Sequence, residues 1–251
     1  MLDLGTRHAI VLVWLGAAPL LRAQAPDSFR VANPERPTFA THAYAVAPRY
    51  LELEQGIRAQ GEKELRDETA WDENVKYGLV RNVQLALSAP LYDRTGAGTS
   101  EGDLQVTLKL HRDLSPHVAA ALVPSITLPT GNSAEGHGAG EAEGGVLAVV
   151  SADLPKNFHV DVNLGPTGIG GGVPQWFHSL SASWQVDRCT IEGEWYGFTA
   201  GNGADASWGV LGALAIRLAY WAVLDVGGSI GYWRETPDIA LLGLTVNVGR
   251  L

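Results

Sequence analysis

The residues best suited to chemistry are few in this chain and poorly spaced for it. His178-Ser179 is the pair that most suggests a nucleophile with its base, and such a pair needs hydrogen-bond reach plus an acidic or amide group behind the histidine. Neighbours on a strand point to opposite faces, which spoils the pair as a dyad. His137 stands in Gly136-His137-Gly138 near Glu135, Glu141 and Glu143. These types can ligate a metal, but an acidic, glycine-rich stretch reads as a solvated loop. The run Gly168-Ile169-Gly170-Gly171-Gly172 lacks the strand-to-helix context and the lysine of a phosphate loop. The sequence therefore predicts no enzyme, no metal centre and no cofactor. What remains is a set of charged residues whose meaning depends on the elements that position them.

The 251 residues carry 27 acidic and 18 basic side chains, a net charge of −9, which argues against a nucleic-acid backbone as partner. Glycine, at 30 residues, is well above the usual ~7%. Past the N-terminus no apolar run approaches the ~20 residues that a membrane helix needs. That excludes a helical membrane protein and leaves a β-barrel open. Arg7 and His8 precede the apolar stretch from Ala9 to Leu21, which predicts a secretory signal peptide over residues 1–23, with cleavage after Ala23 or, less readily because Pro26 would follow, after Ala25. Removing Asp3, Arg7 and Arg22 leaves a product of charge −10. Cys189 is the sole cysteine, so no internal disulfide can form and stability must come from packing and backbone pairing.

From Tyr44 onward apolar residues recur at period two. Val83, Leu85, Leu87, Ala89 and Leu91 alternate with Gln84, Ala86 and Ser88, and Leu104, Val106, Leu108 and Leu110 with Gln105, Thr107, Lys109 and His111. Such alternation predicts strands with one apolar and one polar face. About twelve emerge, near 45–59, 70–79, 82–92, 103–112, 117–128, 145–154, 157–165, 175–186, 189–199, 208–217, 221–233 and 238–249. Their connections alternate long and short, the asymmetry of outer-membrane barrels. Trp71, Tyr92, Trp176, Trp195, Trp208, Tyr232 and Trp233 fall near the long-loop ends, and Tyr77, Trp184, Tyr220 and Trp221 near the tight turns, like the two aromatic girdles of a barrel in lipid. A soluble sandwich or lipocalin-like barrel is the competing all-β fold. The expected architecture is an antiparallel up-and-down transmembrane barrel over residues 44–251. Residues 24–43, with Pro34 and Pro37 and no alternation, form either a periplasmic segment or a lumen plug.

With the apolar face in lipid, the polar face lines the lumen and includes Glu52, Glu54, Arg58, Asp72, Asn74, Lys76, Gln84, Asp103, Gln105, Lys109, Asp161, Asn163, Glu192, Glu194 and Asp225. Eight carboxylates against three basic side chains either pair off and fill the barrel or leave a negative aqueous path that disfavours anions. On the second alternative the expectation is a weak cation preference.

Several stretches resemble the outer-membrane protein family labelled for meta-pathway phenol degradation, a transporter-like group. Lys76-Tyr77-Gly78-Leu79 through Val83-Gln84-Leu85 and Ala89-Pro90 is similar to its second hairpin. Gly102-Asp103-Leu104, then Lys109 and Leu128-Pro129-Thr130-Gly131, resembles its central hairpin, and Glu235-Thr236-Pro237-Asp238 before Leu242-Gly243-Leu244 its last. The resemblance implies a bacterial outer-membrane channel or uptake protein, porin-like, that passes hydrophobic or aromatic small molecules, with membrane lipid and the barrel-assembly machinery as further partners. The chain ends Val248-Gly249-Arg250-Leu251, where barrels of this kind commonly end in an aromatic residue. A non-conducting structural or interaction barrel is the alternative function.

Overall fold

Strands with one apolar and one polar face satisfy both when the sheet curls into a ring, apolar side outward, and closure leaves no unpaired edge in the lipid. The computed structural model describes residues 28–61, 67–233 and 236–251, and shows such a ring. The predicted signal peptide lies outside the described residues. The strands are β1 (Tyr50–Gly61), β2 (Asp67–Val80), β3 (Val83–Arg94), β4 (Thr99–Ser100), β5 (Leu104–Ser115), β6 (Val118–Leu128), β7 (Glu143–Leu154), β8 (Phe158–Ile169), β9 (Gln175–Val186), β10 (Cys189–Phe198), β11 (Ser207–Ala219), β12 (Ala222–Gly231) and β13 (Asp238–Arg250). The two-residue β4 belongs to a long loop and pairs only with the end of β3. The other twelve make the wall, each antiparallel to its neighbours, and β13 closes the ring on β1 from Tyr50↔Arg250 to Gly61↔Asp238. The up-and-down transmembrane barrel expected from the alternation is the fold.

The outward face is mostly apolar. Leu122, Val150, Val162, Leu180, Ile191, Val226 and Leu242 are each exposed and share the parity that points away from the lumen. Trp71, Tyr92, Trp176, Trp195, Tyr232 and Trp233 are exposed towards the long-loop end, and Trp184 towards the tight turns, where it stacks on Phe158 at 5.8 Å. Gln55 and Glu73, paired across β1 and β2, interrupt the band.

The first strand departs from expectation. Alternation placed its start at 45, whereas β1 begins at Tyr50. Residues 45–49 instead run across the tight-turn end of the barrel. There the Val46 N–H donates to Gln84 Oε1, Arg49 takes a left-handed φ of 70°, and its N–H donates to the Gly78 carbonyl at 2.6 Å. Gly78 is required at this crossing: a Cβ there would overlap the Ala47 carbonyl.

The face assignment yields a stability expectation. Val162→Lys, on the lipid side of β8, should cost about 2–4 kcal/mol near the midplane, whereas Thr107→Lys, on the lumen side of β5, should cost under about 1 kcal/mol. Chemical unfolding from lipid bilayers measures both, and equal losses would mean that the faces are misassigned.

Candidate functional site: a segment held inside the lumen

Residues 29–48 have almost no regular structure of their own, only the 3-10 turn Ser28–Arg30 at one end and an isolated bridge from Pro48 to Gly78 at the other. A backbone in a closed space needs partners for its N–H groups. Inward side chains of the wall provide them. The Asn33 N–H donates to Glu52 at 2.9 Å and the Glu35 N–H to Glu54 at 2.6 Å. Phe39 and Ala40 both donate to the Glu194 carboxylate, at 2.8 and 2.6 Å. Thr41 donates to Asn163 and Ala43 to Ser151. Two buried lysines take the carbonyl side: Lys76 Nζ donates to the Asn33 carbonyl, and Lys109 Nζ to the His42 carbonyl, Thr41 Oγ1 and the Glu35 carboxylate. The segment rises from the tight-turn end beside β13, where the Arg30 guanidinium donates to the Asn247 carbonyl. It crosses to β8 and β7, and returns at Tyr44, whose hydroxyl donates to Asp153.

The top of this arch is seated by shape. Arg36 lies on a notch of inward glycines: Gly56 and Gly243 are paired directly across β1 and β13, and a Cβ on either would overlap the Arg36 guanidinium. Pro37 packs beside Gly227 of the next strand, β12. Phe39 lies against Tyr196 with ring centroids 4.1 Å apart, within an apolar cluster of Phe177, Leu211, Ile239 and Leu241. Lower down, Ala43 packs on Ala119, Ala121, Val123 and Val149. The inner wall is therefore apolar in two patches that meet the segment, and polar between them.

Most of the sequence-predicted residues come together around this segment. Lys76, fully buried, bridges Glu52 at 2.6 Å and Glu54 at 2.7 Å. Arg58 pairs with Asp72 and with Glu68, towards the long-loop end. Asp161 receives Ser151 and lies 3.0 Å from His159, which also contacts Asp153. Six of the eight predicted lumen carboxylates are thus engaged, counting Glu194 and also Asp103, so the surplus negative charge inferred from counting is largely absorbed. Asp103 is engaged by the loop 129–142. It sits just before β5 at the long-loop rim and accepts the Gly131 and Ala139 N–H groups, at 2.8 Å each. Glu192 and Asp225 remain: Glu192 has no hydrogen bond or ion pair among the described residues, and Asp225 meets only Arg36, at 3.9 Å.

The residues that alternation missed are Glu35, Arg36, Phe39, His42 and Tyr44 on the segment, which has no period, together with Asp153 and His159, whose inward parity was available. His137 is buried and lies 3.0 Å from Asp93, anchoring the loop 129–142. His178 faces outward between Trp195 and Trp208, while Ser179 faces inward. At the rim, Thr130 Oγ1 accepts from the Leu104 N–H and donates to the Gly102 carbonyl, so the Gly102-Asp103-Leu104 and Pro129-Thr130-Gly131 motifs clamp each other.

Three comparisons bear on the assembled site. No curated protein matches the chain in sequence. Among solved structures, the COG4313 outer membrane channel from Pseudomonas putida F1 superposes with a TM-score of 0.64 at 12% identity, covering 89% of this chain and 99% of its own. The KdgM porin superposes at 0.57 and 9%, covering 77% and 98%, and the KdgM porin in complex with disordered oligogalacturonate at 0.57 and 10%, with the same coverage. These likenesses support the barrel fold.

Replacing Glu194 tests how firmly the arch is held. Glu194→Ala leaves the Phe39 and Ala40 N–H groups without an acceptor and should cost about 1–3 kcal/mol. Glu194→Gln retains one acceptor oxygen and should cost less. Unfolding titrations in detergent give the order, and equal losses would mean that packing of Phe39 alone holds the apex.

The match to the family described as "Putative MetA-pathway of phenol degradation" runs from residue 34 to residue 241, beginning inside the arch and ending in the last strand. The chain belongs to that family.

Proposed function

We propose that this chain is an outer-membrane channel for small solutes, in which residues 28–48 plug the lumen and have to shift for solute to pass. One observation carries the reading: the segment divides two cavities. One, of about 540 Å³, lies at the tight-turn end and reaches Asp153, His159 and Glu192. The other, of about 320 Å³, reaches Asp72, Ser88 and Pro90. Glu35, Arg36, Thr38 and Ala40 line both. A single stretch of chain, fixed by side-chain hydrogen bonds rather than by a sheet ladder, thus stands between the two spaces. Moving it breaks side-chain hydrogen bonds and leaves the ladders of the wall intact. Superposition on solved channels and porins supports the same reading.

Aromatic or hydrophobic small molecules are the cargo we favour. The family description supports this, as does the apolar surface that Phe39, Phe177, Tyr196 and Phe198 form beside the partition. The count of hydrogen bonds on the segment favours a second reading, a barrel that never conducts and serves a structural role.

Gly243→Ala separates the two. Its new Cβ would lie 2.5 Å from Arg36 Nε and 2.7 Å from Asp225 Oδ2, so the guanidinium has to leave the notch, which on the channel reading loosens the apex. In planar bilayers the wild type should show small, brief openings, and the variant a several-fold higher open fraction. Insertion of both without current would establish the non-conducting barrel instead.

A further inference from the structure

Glu192 and Asp225 stand apart from every other lumen carboxylate. Glu192 points inward from β10 and lines the larger cavity, as does Arg36. Asp225, on β12, is fully buried, yet neither of its oxygens accepts a hydrogen bond. Its one charged contact among the described residues, Arg36 at 3.9 Å, is too long for a hydrogen bond, and Arg36 Nε and Nη2 are likewise without acceptors there. Buried charged groups normally complete such contacts, because leaving them unmade costs stability.

The two carboxylates flank β11, where Glu192 is opposite Ala213 and Asp225 opposite Ala215. Both alanines point inward, and Ala215 lines the larger cavity beside Glu192. Glu192 has Asp225, Asp161 and Glu194 as its acidic neighbours, and of these Asp161 and Glu194 are already engaged by His159, Ser151 and the segment N–H groups. Arg188 and Arg217 line the mouth of the same cavity without forming an ion pair to either carboxylate. The unmet demand is for a group that only donates and carries positive charge. Guanidinium and ammonium groups have that inventory.

We propose that Glu192 and Asp225 form a binding site for an organic cation bearing a guanidinium or primary ammonium group, and that Arg36 partly occupies the site when no such solute is present. A solute cation entering the cavity takes Asp225 from Arg36, and the apex of the segment loses its charged anchor. The inference rests on solute reaching the lumen, as the channel reading requires.

The full chain, refolded in detergent micelles, is titrated calorimetrically with N-butylguanidinium and with its neutral isostere N-butylurea. Saturable binding of the cation alone is expected. It should weaken roughly tenfold in Glu192→Gln, the effect of about 1.4 kcal/mol, and at least as much in Asp225→Asn. Arg36→Gln should bind more tightly than wild type, because the internal competitor is gone. Should Asp225→Asn fail to fold, Glu192→Gln and Arg36→Gln still decide. Equal binding of the urea, unchanged binding in Glu192→Gln, or weaker binding in Arg36→Gln would overturn the proposal. Calorimetry does not depend on current, so binding without conductance would fault the channel reading alone, and conductance without saturable binding would fault the site alone.

Discussion

Everything inside this barrel follows from the need of a ladderless backbone for hydrogen-bond partners. A strand in the wall meets its N–H and C=O groups through its neighbours. A segment crossing the lumen cannot, and unpaired groups there would cost about 1–3 kcal/mol each. The wall answers with acceptors at the required heights: Glu52 and Glu54 on β1, Glu194 on β10, Asn163 on β8, Ser151 on β7 and Gln84 on β3. Carboxylates suit this task because they only accept, and charge-assisted bonds to backbone N–H are stronger than neutral ones.

Gathering carboxylates around a closed space creates the second constraint, that buried charges need opposite charges close by. Lys76 and Lys109 meet it from the wall and Glu35 and Arg36 from the segment. Removing one member of such a buried set strands the others, so the lysines are as necessary as the acceptors they neutralise. The glycine notch adds a steric term, since the Gly56–Gly243 pair lets a guanidinium lie flat on the wall where any other residue would fill the space.

Alternation made the strands and their faces legible because a barrel in lipid separates apolar from polar at every second residue. Leu104–Leu110 and Phe158–Leu164 were readable for that reason. The start of β1 was not: Ala45–Arg49 alternates weakly but is diverted by Pro48 and the left-handed Arg49. The segment has no period, so its hydrogen bonds, and the engagement of most predicted lumen carboxylates with it, could not be counted from the sequence. Asp103 had the right residue type near a strand start, and its role as a rim anchor appears only once loop 129–142 folds over it. One signal was available: Gly56, Gly227 and Gly243 occupy inward positions on three consecutive wall strands, which marks a place where something approaches the wall closely.

The claim that the segment resides in the lumen, held by wall side chains, is tested most directly by amide hydrogen exchange on the protein in lipid bilayers. Peptides covering residues 33–46 should exchange orders of magnitude more slowly than an unstructured chain, with Phe39 and Ala40 among the protected amides. Exchange of those peptides at the rate of a free tail, beside protected wall strands, would contradict the account.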